Sequence, residues 1–585
     1  MPPTREISTQ ANTDLPTFRI FANGTELPTT IGVGSIIVNK SINRISTAKL
    51  IIEDGDMATE EFELSSGEDF IPGSEIEIHA GYHGIESQIF KGIVIKHGIN
   101  FKSSKTSELV LELKDVCVKA SVGKKNRYFE ESTDSDIIEE ILGEYSDLEL
   151  DIEATDLEHK EMVQYYCTDW DFVLSRADIN GKYVFVDDGS ISVKAPDFSA
   201  DPLFILAQGD NVIEFEAEMD ARTQVSSIAG KSWDYAGQEV VESEGADPGV
   251  TEIGNLSASD LSDVIGLESF SMQHSGQVVA EELQAWTDAK LLKSMMSKVR
   301  GRVKIIGFSD IKPGDLIELE SFGDRFNGTA YVSGISHIIT ASAGWYTNIL
   351  FGLSDQWFAD EYDNINDKPA SGLLPPINGL HFGIVTNIHE DPDGEARVKV
   401  KVPIISTEDE GVWARIATLD AGNNRGTFFR PEVDDEVVVG FINDDPRDPV
   451  ILGMLHSSAL ASPIEPTEDN FEKGIITKEE LKFLFDDDKK SILFETPNGN
   501  KITLSDDEGS IKLEDENGNI FEMNSDGISI ESDGDITLKA GGDVKIEGTN
   551  IENTSNADFK VSASAGADIT ASANAVLKGA MVQIN

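Results

Sequence analysis

Residues 527–548 read GISIESDGDITLKAGGDVKIEG, and their apolar side chains return in pairs, Ile528 with Ile530, Ile536 with Leu538, and Val544 with Ile546. The pair recurs every eight residues. Alternation within a pair marks a strand with one buried face, and the Asp-Gly and Gly-Gly steps between pairs mark corners. Each octad buries about two side chains, worth roughly 3–6 kcal/mol. Ordering its backbone costs about 8–16 kcal/mol. A lone ribbon of octads, half-buried and open at both edges, does not hold together, so the pairs must face other apolar pairs.

Upstream of this stretch the same signal is present with looser spacing, at Ile492 and Phe494, Ile502 and Leu504, Ile511 and Leu513, and Phe521 and Met523. Downstream it continues through Phe559, Val561 and Ile569. A repeated unit of this kind signals stacked structure. In KVSASAGADITASANAVLKGA, residues 560–580, Ala and Ser replace many of the larger side chains, which predicts a shaft that tapers toward its end.

The full chain has 585 residues, enough for several cores, and carries 47 Lys and Arg against 106 Asp and Glu, a formal charge of −59. Such a charge repels phosphate backbones and anionic membranes, which excludes nucleic acid as a partner class. Two cysteines, Cys117 and Cys167, are too few for a disulfide framework and point to synthesis in a reducing compartment. MPPTREISTQANTDLPTF, residues 1–18, lacks the apolar core of a signal peptide, and no later run reaches the length of a membrane span. The expectation is a protein made in the cytoplasm without a signal peptide, leaving the cell by another route or released with a particle.

The chain reads as mainly β and multidomain. Residues 1–115 show short alternating strands, such as STAKLIIEDG, and predict a first β-barrel. Residues 116–200 mix in helical periodicity, as in DSDIIEEILGEY, and predict an α/β insertion. Strands return over 201–360 as a second barrel, with a helix in EELQAWTDAKLLKSMMSKV expected to end at Gly301. Residues 361–377 have the acidic, then Pro- and Gly-rich composition of a linker. Five short strands in 378–457, namely HFGIVTNI, ARVKVKVP, GVWARIAT, DEVVVGFI and PVILGML, predict a small closed barrel of the OB type. A polar neck over 458–490 leads to the repetitive region 491–585.

The stretch Trp413–Gly453, WARIATLDAGNNRGTFFRPEVDDEVVVGFINDDPRDPVILG, resembles the barrel signature of the VgrG family, the spike and hub proteins of bacterial contractile injection systems. The matching positions are Trp413, Arg415, Gly422, Pro431, Glu432, Pro446 and Gly453. Where the family usually has Pro-Glu-Val-Gly-Asp-Glu-Val, this chain has Asp434 for the Gly. DWDFVLSRADINGKYVFVDDG, AWTDAKLLKSMMSKVRGRVKIIGFSDIKPGDLIEL and FNGTAYVSGISHIITASAGWYTNILFG resemble the family's hub in the order expected of it.

The resemblance implies a homotrimer, with two hub barrels per chain forming a ring and the octads winding into an intertwined trimeric β-helix whose core holds Ile528, Ile530, Ile536, Leu538, Val544 and Ile546. From Ser491 on it implies roughly 12 strands and a shaft on the order of 55 Å. It further implies an inner tube protein and baseplate components at the N-terminal hub, effector cargo, and a small PAAR-type tip protein seated on Met581, Val582, Ile584 and Asn585. Type VI secretion, an extracellular phage-tail-like particle and a phage tail are all compatible with it.

Motifs of catalysis are not found: no G-x-S-x-G, no H-E-x-x-H, no paired cysteines at zinc spacing. No catalytic, cofactor or metal residue is assigned. AGKSW at 229–233 ends like a phosphate loop, but Val225 stands where its first Gly is required, so a strand end or turn is the reading. Asp515, Asn517 and Asn519 resemble part of a calcium loop, yet no Glu closes it and a turn is expected. Asp391 and Asp393 in HEDPDGEA fit a Pro-Asp-Gly turn better than a glycosidase pair. Trp413 and Phe441 are expected in the barrel core. The function expected is structural, that of a puncturing spike, with a polysaccharide-degrading tail spike or a receptor-binding adhesin as the alternatives.

Overall fold

The computed structural model describes residues 15–55, 61–101, 107–267 and 269–584. Tertiary contacts divide the chain into two units, residues 1–378 with 443–446, and residues 379–442 with 447–585.

In the first unit the two β regions share one sheet of thirteen strands. Its path starts at Val212–Met219, runs through Val299–Ile306, Gly344–Phe351 and Gly328–Thr340, and crosses to Val33–Ser41. From there it continues through Thr47–Glu53, Glu108–Lys114, Ile85–Asn100 and Glu75–Tyr82 to Pro16–Ala22. The joint is antiparallel, with Gly334 opposite Ser41, Ile338 opposite Ile37 and Thr340 opposite Ser35.

Alternation along these strands sorts side chains into cores. Ile36, Val38, Leu50, Ile52, Ile78, Phe90 and Leu111 fill the first, and Ile339 and Trp345 of the later region pack into it. Val303, Ile305, Leu319, Val332, Ile349 and Phe351 fill another. Sequence periodicity locates each set of strands, but the sharing of Ile339 and Trp345 makes the two regions one cooperative body.

The expected insertion has its own core, formed by Ile137, Ile141, Trp170, Val173, Val184 and Val193 around the helices Asp134–Gly143 and Asp169–Ile179. Thr133 caps the first helix through a capping box with Asp136. Between the helices lies a buried ion cluster. Arg176 donates from Nε to Asp134 Oδ1 at 2.6 Å and from Nη2 to Oδ2 at 2.9 Å, and Asn180 donates to Oδ2 at 2.8 Å. Burial pushes the Asp134 carboxyl up, but these bonds outweigh it and hold the group below the usual carboxylate range.

Two expectations are corrected here. The helix expected to run to Gly301 spans Ala280–Met296, because Val299 already enters the strand Val299–Ile306. Gly301 instead serves that strand: a Cβ there would lie 2.4 Å from the Glu216 carbonyl oxygen and from the Phe351 ring. The segment 361–377, expected as a free linker, is docked on the first unit. Ile365 belongs to the insertion core, Tyr362 packs against it, Ala370 is buried, and Lys124 reaches Asp367 at 3.3 Å. Its acidic surface residues hid three apolar anchors.

Replacing Arg176 with Met should cost about 3–5 kcal/mol, measured by urea unfolding, since it strands a buried carboxylate. His337 sits in the joint strand, wholly buried, with Nδ1 at 2.9 Å from Thr347 Oγ1. Burial lowers its pKa to about 3. The folded pKa is thus below the unfolded value, so this contribution is present above about 6.5 and is lost as pH falls below it. Between pH ~6.5 and ~5 the unfolding free energy should decline by up to about 1.4 kcal/mol per pH unit, and His337→Gln should flatten that slope.

Candidate functional site

The second unit opens with a closed barrel of five strands, His381–Asn387, Val398–Lys401, Val412–Ile416, Glu436–Phe441 and Pro449–Met454. Its interior is small and apolar: Val385, Val398, Val400, Ala414, Val437, Val439 and Ile451, with Phe441 packed at its margin. Trp413, expected inside, is only half-buried, because consecutive strand residues take opposite faces and Ala414 takes the inner one. The Trp413 ring lies outside instead, with Lys399 Nζ at 5.9 Å from its centroid.

The other signature residues shape the barrel's surroundings. Arg415 pairs with Val450, and Gly453 with Val438, as rungs between strands. Gly422 lies in a small hairpin against Arg425, Pro431 is buried, Pro446 is partly buried, and Glu432 accepts from Lys478 at 3.3 Å. Asp434 has φ +73°, the left-handed conformation that favours glycine. That is the physical reason for a Gly in the family pattern, and an Asp tolerates the same conformation better than most side chains.

Asp391 organises the turn expected at HEDPDGEA. It accepts backbone N–H bonds from Asp393 at 3.2 Å, Glu395 at 3.0 Å and Arg397 at 3.0 Å, and pairs with the Arg397 guanidinium at 2.6 Å. The Arg397 bonds hold its carboxyl far below the usual carboxylate range, which suits a structural clasp. Arg430, unnoticed in the sequence, donates to the carbonyls of Ile388, Ala396 and Arg397 and ties this turn to the barrel. No sequence pattern distinguishes such an Arg from a surface one.

After the barrel in sequence, seven five-residue strands form an antiparallel meander from Glu472 to Glu531. It begins inside the stretch expected as a polar neck. Alternating Phe483 and Phe485 in KEELKFLFDDD carried the signal, diluted by the charges around them.

Register places the apolar residues in two columns on one face. Phe483 lies opposite Phe494, which is opposite Ile502, then Leu513, Phe521 and Ile530. Phe485 lies opposite Ile492, then Leu504, Ile511, Met523 and Ile528. The Phe483 and Phe494 rings stack with centroids 4.4 Å apart. The other face is mostly polar, apart from Leu484 opposite Leu493 and from Ile520: Glu495 pairs with Lys482 at 3.0 Å and Lys501 at 3.3 Å, and Lys512 with Glu514 at 2.8 Å.

Within a single chain these columns have no cover. Ile502 is 42% and Leu513 41% exposed, and both border an open groove of about 970 Å³ that Ile536 also lines. Ile528 and Ile530, expected in a needle core, end the last strand at 67% and 55% exposure. Ile536, Leu538, Val544 and Ile546 lie beyond it, exposed, on backbone without strand pairing among the described residues. Met581, Val582 and Ile584 are also exposed, and Asn585 lies outside the described residues.

Asp515 accepts from the backbone N–H groups of Asn517 and Asn519, both at 2.9 Å, which makes a turn. AGKSW lies within the strand Ile228–Asp234. Among the described residues no group of three or more His, Cys, Asp or Glu is placed to hold a metal ion, and no helix is long and apolar enough to cross a membrane.

The second unit thus joins a closed five-stranded barrel to an antiparallel sheet with one apolar face. Three family models match the chain: the Alg8 N-terminal domain over residues 12–341, more than half of it, the type VI secretion system/phage-baseplate injector OB domain over 381–456, and the phage baseplate V C-terminal trimerisation domain over 491–585. The chain belongs to the VgrG family of spike proteins, with an N-terminal part of the Alg8 type.

Type VI secretion system spike protein VgrG1a of Pseudomonas aeruginosa is 29% identical over 131 residues, 20% of each chain. VgrG1b of the same organism is 23% identical over 382 residues, 60% of this chain and 49% of that one. The chain thus spans half or less of the length of these curated relatives. The Francisella PdpA–VgrG complex is a structural neighbour at 11% identity and TM-score 0.41, covering 89% of this chain and 81% of that one.

Asp434→Val should lower the barrel's unfolding free energy by about 1–2 kcal/mol in urea titrations, because a branched side chain resists the left-handed conformation. Asp434→Gly should leave it unchanged or raise it by up to about 1 kcal/mol.

Proposed function

We propose that this protein is the structural, non-enzymatic central spike and hub of a contractile injection system, and that it works as a homotrimer. The observation that carries the reading is the pair of apolar columns, which a single chain leaves open to water. Three copies related by a threefold axis turn the columns toward one another, remove their exposed apolar surface from solvent and leave the salt-bridged faces outside. The octads Ile528 to Ile546 continue the same axis.

In this reading the N-terminal hub joins the inner tube and baseplate, and the shaft concentrates the thrust of contraction on a narrow point. Met581, Val582 and Ile584 are exposed apolar side chains that suit a PAAR-type tip protein, with Asn585 next to them in the sequence, and effector cargo travels with the assembly. The particle carries the protein out of the cell. Carboxylates of the shaft support this over a polysaccharide-degrading spike, since Glu495, Glu514 and Asp515 are engaged with lysines and turn amides.

The full chain should sediment near three times its 63.7 kDa. A stable monomer at micromolar concentration would sink the reading, and sustained glycan turnover by the purified trimer would favour the enzymatic alternative.

A further inference from the structure

The shaft changes character at Glu531. Up to that residue every strand of the meander pairs in full register with the next strand of the same chain, through short turns. After it, the described residues 532–584 contain no strand, and Ile536, Leu538, Val544 and Ile546 stand 55%, 76%, 60% and 68% exposed. One part therefore forms its sheet inside a single chain, and the other has no intrachain partner to form it with.

Spacing changes at nearly the same place. Ile492, Ile502, Ile511, Phe521 and Ile528 follow one another at intervals of ten, nine, ten and seven residues, whereas Ile528, Ile536 and Val544 follow at eight and eight. Sliding one chain past another by one octad brings apolar pairs back together throughout 528–546. The same slide in the meander sets apolar columns against turns, because no two of its successive intervals agree. Equal repeats leave register weakly specified, and unequal ones specify it.

We infer that the meander Glu472–Glu531 is the nucleus and the register lock of the trimer, and that the tail beyond it folds only against two other copies of the chain, from Glu531 toward the C-terminus. This rests on the trimeric reading above. A preformed apolar face gives up translational, rotational and side-chain freedom on association, while the tail must in addition order its backbone in the same event. The meander's contacts are between neighbours in sequence, so it is available early. Once three meanders meet, the three tails leave Glu531 in phase, and each octad orders on the one before it.

Sedimentation and hydrogen exchange of full-length variants test this. Leu538→Asp combined with Val544→Asp should remain trimeric while exchange protection over 532–584 falls at least tenfold. Ile502→Asp combined with Leu513→Asp should be monomeric, with the tail equally unprotected and the hub and barrel protected as before. A monomeric tail variant would overturn the inference, as would a meander variant that stays trimeric with a protected tail. If the meander variant fails to fold, the tail variant decides alone. A monomeric unsubstituted chain would instead bring down the trimeric reading, which separates the two failures.

Discussion

Burying two apolar side chains per strand is the constraint on which the shaft depends. A five-residue strand has room for two inward residues, and in one chain many of them stay partly wet, from Phe485 at 38% to Phe494 at 43% exposure. The backbone costs of the meander are met within the chain by antiparallel pairing, which leaves the apolar face as the unsatisfied term. Most of the back of the sheet keeps it soluble, with lysine–glutamate pairs there and turns built from Asp, Asn and Gly. The same division explains how a chain with formal charge −59 still associates, because the charges and the sticky surface lie on opposite faces.

The hub solves a different problem with the same element. Its two β regions are stitched by seven residue pairs between Ser35–Ser41 and Gly334–Thr340, strands about 290 residues apart in sequence. Trp345 then closes the earlier region's core from the later one. Buried ion clusters such as Asp134 with Arg176 add geometric definition at the insertion, where a purely apolar contact would tolerate sliding.

Much of this was legible because period and turn chemistry are local. All five barrel strands and the helix Asp134–Gly143 could be read from alternation, from Asp and Gly corners, and from helical periodicity. What escaped depends on partners distant in sequence. The joint at Ile338 and Ile37 has no local mark. Trp413 looked like core because it is large, yet strand parity gave the interior to Ala414. Phe483 and Phe485 were masked by flanking charges, and Phe358 and Ile365 by an acidic, Pro-rich context. Asp434 shows the reverse case, where a departure in sequence keeps the backbone conformation that the pattern exists to supply.

The meander's strands lie across the direction in which they stack, so its hydrogen bonds run along the shaft. Pushed from one end, such a stack is squeezed rung against rung, and the load is shared by every contact in it. Pulled, it opens one rung at a time from the loaded end, as a zipper does. Such a stack is therefore a strut and a poor tether, stiff under compression and weak against being peeled apart.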